Sequence, residues 1–313
     1  MIAWTQTFME NNEGVTASYD AVGSGGGRTQ FISGGVEFAG TDAALDAEEL
    51  AEAEERCAGP VIEMPLYISP IAVIYNLPSV DVDHIQMSAA TIANVFDNTI
   101  TRWDDPAIAA ENPGVELPDL AITPVHRSDD SGTTENFTDY LEKASGGAWE
   151  FEADGDWPIA SGQSGNGTSG LVQTVSSAEG TIGYADASRA EGLGTVALKV
   201  GDAYVPFSPE AAAAVVDASP AADGASDTIL TIALDRTTTA EGAYPLVLVS
   251  YSLACQTYED ANDAELVKEF LLYVASAEGQ ELVAAPDIAG SSPISDTLRT
   301  RVNEVLDTIT SVA

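Results

Sequence analysis

Positively charged residues are scarce in this chain. Lysine and arginine together number 11 among 313 residues, against 50 aspartates and glutamates, which leaves a formal net charge of −39. Such a surface repels nucleic acid and anionic membranes, so we exclude non-specific binding to either. An anionic ligand must be held by a recessed site with its own cation and amides, because salt screens the global field beyond about 8 Å.

Cysteine and histidine are rarer still. Cys57 and Cys255 are far apart in sequence, and His84 and His126 are isolated, which excludes zinc ribbons and redox CxxC motifs. The two cysteines form either one disulfide or two buried thiols, and a disulfide would favour an extracytoplasmic location. His126 either lines a site with its neighbour Arg127 or occupies a surface or core position.

Long apolar runs and the usual catalytic motifs are also missing. No stretch approaches the ~18 apolar residues of a membrane span. The opening MIAWTQTFMENNEG has neither the basic region nor the small-residue cleavage site of an export signal. A Walker loop, a G-x-S-x-G elbow, an H-E-x-x-H motif and an EF-hand loop are all absent. We therefore expect a protein that is not an enzyme and that holds no metal or cofactor.

Strand-like runs alternate with helical patterns along the chain, which predicts an α/β fold with sheets covered by helices. The strand-like runs are VTASYDAV, VEFAGTD, VIEMPLYISPIAVIYNLP and AITPVHRS. The helical ones are AEELAEAEERC, TENFTDYLEKA and AELVKEFLLYVAS, with a last helix after Pro293. The expected inward faces are Phe137, Tyr140 and Leu141; then Leu266, Phe270 and Tyr273; and, in the last helix capped by Ser295, Leu298, Val302 and Val305.

A glycine run, Gly23–Gly27, follows the strand-like ASYDAV and precedes a helical segment. Glycines between a strand and a helix let backbone N–H groups turn toward an anion at the positive helix end. A tight turn without a ligand is the alternative, because such runs occur widely in turns. Gly23, Ser24 and Gly25 are therefore candidate site residues.

A second candidate segment runs from Arg127 through Asp129 to Thr134, again from a strand into a helix. Ser131 or Thr133 would cap the helix, and the amides of Gly132 and Thr133 would point out of its start. An ordinary capped helix is the alternative. Arg127 favours a site, because a guanidinium, amides and hydroxyls together suit a tetrahedral oxyanion.

Two further segments carry weaker signals. Asp42 ends the strand-like VEFAGTD and either caps the following helix or faces a ligand, and one residue can do both. The run Gly165–Gly170 matches the dinucleotide pattern G-x-G-x-x-G. It has no clear buried strand before it and no acidic ribose partner, so we set it aside.

Six segments are distinctive, and they extend along essentially the whole chain. In order, they are YDAVGSGGGRTQF, VEFAGTDAAL, ITRWDDPAIAAENPGVELP, HRSDDSGTTENFTDYL, EGTIGY and GAYPLVLVSY. Together they resemble the periplasmic phosphate-binding protein of bacterial phosphate ABC transporters. The most specific pieces are the R-x-D-x-S-G-T motif and GSGGG followed by a Thr-Asp strand end. Pairing of Cys57 with Cys255 resembles the disulfide of actinobacterial members, which supports export.

The resemblance implies a type II periplasmic-binding-protein fold with hinge strands and a ligand cleft. We expect lobe 1 over 1–74 plus 251–313 and lobe 2 over 75–250. Gly23 and Gly25 would support the first-lobe loop, and Asp129 would orient Arg127. The implied phosphate ligands are Ser24, Asp42, Arg127, Ser131, Gly132 and Thr133.

Family members begin with an export signal, a first strand and a further phosphate-binding loop, and these are not in this sequence. We therefore expect an N-terminally shortened chain whose full-length precursor is lipid-anchored outside the cytoplasm. The expected function is that of a monomeric receptor that delivers inorganic phosphate to a membrane ABC permease. Phosphoryl transfer or phosphate sensing on the same fold are the alternatives, and the former would need a nucleophile beside a base.

Overall fold

A computed structural model describes residues 1–312. The helices are α1 Ile2–Asn11, α2 Ser24–Ile32, α3 Ala47–Arg56, α4 Ala89–Phe96, α5 Pro106–Glu111, α6 Gly132–Ala144, α7 Gly167–Ser177, α8 Pro209–Ala218, α9 Ala261–Ala275, α10 Ala277–Ala284 and α11 Asp296–Leu306. The strands are β1 Phe38–Thr41, β2 Val61–Tyr75, β3 Ile85–Met87, β4 Thr123–Arg127, β5 Gln163–Gly165, β6 Thr181–Asp186, β7 Gly194–Val200, β8 Ala203–Val205, β9 Val247–Cys255, β10 Thr257–Tyr258 and β11 Thr310–Ser311. The predicted α/β class is confirmed.

The chain forms two compact units. Unit 1 comprises residues 1–68, 219–233 and 249 onwards, and unit 2 comprises residues 69–218 and 234–248. Strands β2 and β9 each contain a boundary, so both carry the chain from one unit into the other. The segment 219–233 was expected in the second lobe but belongs to unit 1. There the Leu230 N–H donates to the Glu63 carbonyl oxygen at 2.7 Å.

Unit 1 is built on β1, β9 and β2 in that order. Strand β1 runs antiparallel to β9, with Phe38 opposite Ala254 and Thr41 opposite Tyr251. Strand β2 is buried along almost its whole length, as a continuous apolar run predicts for a strand covered on both faces. Aromatic contacts fill the core beside β1, with the Phe270 ring 5.1 Å from that of Phe38.

Unit 2 is a mixed sheet. Strand β4 lies parallel to β5 and to β6, and the second part of β2 is antiparallel to β6. Strand β7 pairs with β3 in parallel and with β8 antiparallel. The rings of Phe137 and Tyr184 stack at 4.3 Å beneath α6. Strand β4 leads through a short turn into α6, so Arg127 lies at the carboxyl end of the strand and Ser131 at the start of the helix.

Some expected elements differ in the structure. Residues 15–23 form no strand, because β1 is hydrogen-bonded on its β9 side alone among the described residues. Helix α9 buries Val267, Phe270 and Leu271, whereas Leu266 and Tyr273 are half-buried, so the inward face is offset from the expected one.

The other helix expectations fare better. Phe137, Tyr140 and Leu141 are buried in α6. Ser295 caps α11 by accepting the Leu298 N–H, and Val302 and Val305 are buried. Leu298 is half-buried, so it is less inward than expected. Within residues 1–312, none of the helices combines the length and the apolar character that crossing a bilayer requires.

Candidate functional site

The candidate residues of unit 1 lie at the start of α2 and at the end of β1. Gly23 precedes the helix with φ of 83°, a conformation that glycine adopts without strain. Ser24 and Gly25 form the buried first turn, where backbone N–H groups have no helical acceptor. The Asp42 N–H donates to Ser24 Oγ at 3.0 Å, which joins the end of β1 to the helix start. The structure thus brings together the predicted residues of this unit.

Close packing of α2 on β1 explains part of the glycine run. A Cβ at Gly27 would lie 2.9 Å from the Gly40 carbonyl oxygen. Any larger residue there would push the helix away from the strand. The run therefore has a packing role as well as a role at the helix start, which the sequence analysis did not foresee.

Asp42 does not cap the next helix, contrary to one of the two roles expected for it. Asp46 is the N-cap of α3, where its carboxylate accepts the N–H groups of Glu48 and Glu49. Glu49 completes a capping box by accepting the Asp46 N–H. Asp42 is separated from this helix start by three residues, so its place beside Ser24 is the one that the structure supports.

The candidate residues of unit 2 lie where β4 leads into α6. Ser131 is the N-cap of α6, and its Oγ accepts the Thr134 N–H at 3.3 Å. Gly132 and Thr133 occupy the buried first turn, so their amides have no helical acceptor. Arg127 ends β4 and is 6% exposed. The predicted hydroxyl, amide and guanidinium donors therefore sit on neighbouring elements of one unit.

Asp129 holds the Arg127 side chain. Its Oδ1 accepts the Arg127 Nε–H at 2.9 Å and its Oδ2 accepts Nη2–H at 2.5 Å, a two-point contact that fixes the guanidinium plane. Burial alone would raise the pKa of Asp129, but Arg127 and the Gly167 N–H outweigh burial and keep that pKa below its usual value. The Asp129 carboxylate therefore stays ionised to lower pH than an unperturbed aspartate.

The segment that resembled a dinucleotide motif lies beside this pair. It runs from β5 into α7, with β5 parallel to β4. The Gly167 N–H donates to Asp129 Oδ1 at 2.9 Å, and Thr168 Oγ1 accepts Arg127 Nη1–H at 3.3 Å. Sequence reasoning missed both residues, because β5 is three residues of Gln, Ser and Gly with no apolar pattern.

Arg127 keeps donors for a ligand. Three of its five guanidinium N–H groups are engaged by Asp129 and Thr168 among residues 1–312. Its backbone N–H donates to the Tyr184 hydroxyl at 3.2 Å. Burial raises the pKa of Tyr184 to about 12, so this hydroxyl stays protonated and keeps β4 in place.

The other predicted residues have structural roles. Cys57 and Cys255 form a disulfide, as expected. The His126 ring stacks on Trp157 at 5.2 Å, and its Nδ1 lies 2.8 Å from the Arg127 carbonyl oxygen. Of the two roles considered for His126, its contacts fit a packing position better than one that lines a site.

Two cavities are poorly suited to an oxyanion. One in unit 1, of about 360 Å³, touches Gly23 but is walled largely by apolar side chains such as Phe8, Phe38 and Phe270. One in unit 2, of about 330 Å³, includes Arg236, whose donors are bound by Asp139, Asn136 and two carbonyls. The Glu111 carboxylate also occupies the start of α4 beside this cavity.

Comparisons with known proteins agree with one another. Residues 1–278 match the family model described as a PBP superfamily domain. The phosphate-binding protein PstS2 of Mycobacterium bovis BCG is 33% identical over 318 residues, covering 99% of this chain and 84% of that protein. PstS 2 of Mycobacterium tuberculosis is 32% identical with the same coverage.

Solved structures share the fold. A high-affinity periplasmic phosphate-binding protein with bound phosphate superposes with a TM-score of 0.74 at 21% identity, covering 96% of this chain and 90% of that one. The ancestral soluble variant of a human phosphate-binding protein gives 0.76 at 20% identity, with the same coverage of each. At these identities the likeness supports the two-lobe architecture that the sequence analysis expected.

Proposed function

This chain belongs to the PstS family of phosphate-binding proteins, and we propose that it captures inorganic phosphate outside the cytoplasm and delivers it to an ABC importer. The observation that carries the proposal is Arg127. It is a buried cation in a chain of net charge −39, it is fixed by Asp129, and it retains two guanidinium N–H donors beside the start of α6. A buried cation with uncommitted donors calls for an anion.

Each unit carries its own group of proposed phosphate ligands. Unit 1 has Ser24 and the acceptor Asp42, and unit 2 has the donors of Arg127, Ser131, Gly132 and Thr133. Asp129 positions Arg127, and Gly23 and Gly25 shape the α2 start. Phosphate near neutral pH keeps an O–H that a carboxylate can accept, whereas sulfate has none and would face Asp42 as an unpaired like charge. Asp42 is therefore the proposed selectivity residue.

Binding without chemistry is favoured over phosphoryl transfer. Ser24 Oγ accepts the Asp42 N–H and Ser131 Oγ accepts the Thr134 N–H. Within residues 1–312, neither hydroxyl is hydrogen-bonded to a histidine or lysine that would activate it as a nucleophile. We propose a monomeric receptor whose partner is the membrane permease of the importer.

Calorimetric titration at pH 8 with phosphate, and with sulfate as the control ligand, tests the proposal. We expect one-to-one phosphate binding and no sulfate binding. Arg127→Ala should weaken phosphate binding by about 100-fold or more, because it leaves a buried anion without its cation. Arg189→Ala removes an exposed arginine of the same unit and should have no effect.

Asp42→Asn tests the selectivity residue. The affinities for phosphate and sulfate should differ less in the variant than in wild type, because an amide replaces the like charge that faces sulfate. Unchanged discrimination would show that another group selects the ligand. Absence of phosphate binding, or equal binding of sulfate, would contradict the proposed function itself.

A further inference from the structure

Glu63 is a buried carboxyl group for which the proposed phosphate site has no use. It is the single charged residue of β2, and its exposed fraction is 1%. Its backbone is fixed by bonds to Thr228 and Leu230, so the side chain has a defined direction. Burying a carboxylate in a strand is costly, which makes its surroundings informative.

The Glu63 side chain points to the segment that follows Asp42. Its Oε1 accepts the Leu45 N–H at 3.0 Å. Leu45 lies three residues after Asp42 and directly precedes Asp46, the N-cap of α3. One carboxyl oxygen therefore holds the loop that joins the phosphate-site aspartate to α3.

A partly buried ion pair lies near Glu63 and extends to the same loop. The Arg28 Nε–H donates to Glu49 Oε1 at 2.7 Å, and Nη1–H donates to Thr41 Oγ1 at 3.3 Å. Arg28 follows Ser24 by one helical turn, and Thr41 directly precedes Asp42. The network thus passes behind both proposed phosphate ligands of unit 1.

Two charged side chains act on Glu63, Arg28 from α2 and Glu49 from α3. The elements around it carry further titratable groups: Asp42 and Asp46 on the loop between β1 and α3, Asp227 next to Thr228, and Tyr251 opposite Thr41. Arg28 and Glu49 form an ion pair at 2.7 Å. Ionisation of Glu63 adds one further negative charge to this region, and protonated Glu63 adds none.

Both protonation states of Glu63 are accessible near neutral pH. Burial is the main cause that raises its pKa, to about 7, and Glu49 acts in the same direction. The Leu45 N–H and Arg28 lower it in part. Oε1 accepts the Leu45 N–H, which leaves Oε2 as the oxygen that can carry the proton.

We infer that Glu63 is the proton acceptor that couples anion capture at Ser24 and Asp42 to the uptake of a proton from solvent. The inference rests on the proposed function, because phosphate is the anion whose charge drives the uptake. A bound phosphate and ionised Glu63 repel one another through the protein interior. By linkage, phosphate raises the proton affinity of Glu63, and the proton raises the affinity for phosphate by the same factor, about five- to tenfold.

Calorimetry on wild type, Glu63→Gln and Glu52→Gln tests the inference. Glu63→Gln keeps an acceptor for Leu45 but holds no charge, and Glu52→Gln removes one exposed charge of α3 as the matched control. At pH 5.5 the three proteins should bind phosphate equally. At pH 8.5, Glu63→Gln should bind about five- to tenfold more tightly than the other two. The protonation of phosphate itself is common to all three and cancels in the comparison.

Titrations at pH 7.5 in buffers of different ionisation enthalpy count the protons. Wild type and Glu52→Gln should take up about 0.4 proton more per phosphate than Glu63→Gln. Equal proton counts in wild type and Glu63→Gln would overturn the inference while leaving the proposed function intact. No phosphate binding by any of the three proteins would overturn both.

Carboxyl carbon NMR of wild type gives the same test without a variant, should Glu63→Gln fail to fold. The titration midpoint of the buried glutamate should move to higher pH when phosphate is added. A midpoint that phosphate leaves unchanged would also overturn the inference.

Discussion

Arg127 and Asp129 show how two residues of one short segment depend on each other. The carboxylate engages two N–H groups of the guanidinium and directs its other donors away from itself. An ion pair of this kind on the surface would contribute little to stability. Here the pair sets the direction of a buried cation. The pair therefore acts by orienting the Arg127 guanidinium, and a loss of that orientation should appear as a loss of ligand affinity.

Asp129→Asn should weaken phosphate binding by about tenfold, because an amide offers one acceptor where the carboxylate offers two and carries no charge. Asp156→Asn, an exposed change in the same unit, should leave the affinity unaltered. Because the pKa of Asp129 is held below its usual value, the ratio of the affinities of wild type and Asp129→Asn should stay constant from pH 5 to pH 8. Equal affinity of Asp129→Asn and wild type would show that Arg127 is oriented by other contacts.

Glu63 should also leave a signature in stability without any ligand. Its pKa is about 7 in the folded protein and starts from 4.5 when the group is solvated. Between these values the folded state holds a proton that the unfolded state has lost, so the free energy of unfolding falls as pH rises. The fall begins near pH 4.5 and ends above pH 7.

Glu63→Gln removes this titration. In urea unfolding of the phosphate-free proteins, the free energy of unfolding of the variant relative to that of wild type should rise by up to about 3 kcal/mol as pH rises from 4.5 to 7.5. Glu52→Gln should follow wild type across the same range, because this side chain is exposed and folding does not bury it. A difference between Glu63→Gln and wild type that does not vary with pH would mean that Glu63 has an ordinary pKa.

At the scale of elements, the sequence was informative where a periodic apolar pattern met a capping signal. The run TENFTDYLEKA has both, and α6 begins at its Ser131 cap with Phe137 and Leu141 buried. The run ASYDAV has strand propensity, but strands need a hydrogen-bonded neighbour, and residues 15–23 have none among the described residues. Strand propensity alone therefore predicted a strand in this segment, where the structure has none.

The candidate site was predictable to the same extent. Arg127 and Ser131 could be proposed from the sequence because they belong to a strand-to-helix turn with a local motif, and the structure has that turn. Gly167 and Thr168 were missed because their contact with the Arg127–Asp129 pair depends on the parallel pairing of β4 and β5. Glu63 was missed since a single carboxylate in an apolar run gives no sign of what lies opposite. Contacts between distant segments are the part that a single sequence does not reveal.

The α6 start links stability and binding in one element. Ser131→Ala removes the acceptor of the Thr134 N–H and should lower the free energy of unfolding by about 1 kcal/mol. Ser295→Ala removes the equivalent cap of α11, outside the site, and should cost a similar amount. Phosphate affinity should fall about tenfold in Ser131→Ala alone, because that hydroxyl is also a proposed ligand. Equal affinities of the two variants would place Ser131 outside the ligand set.

At the scale of the whole molecule, the disulfide acts on one of the two units. Cys57 and Cys255 are separated by 198 residues, yet both belong to unit 1. The bond joins the end of α3 to the end of β9 and thereby encloses all of unit 2 in its loop. A loop of this length restricts the unfolded chain strongly, so the bond stabilises the folded state by about 5 kcal/mol in the chain-entropy model.

Replacing both cysteines, Cys57→Ala with Cys255→Ala, should therefore weaken unit 1 more than unit 2. Urea unfolding followed by amide hydrogen exchange should show residues of unit 1 losing protection at lower denaturant concentration than those of unit 2. Reduction of the wild type with a thiol should reproduce the shift, and the same thiol should leave the double variant unchanged. Equal loss of protection in both units would mean that they unfold as a single cooperative structure, with the disulfide stabilising the whole chain.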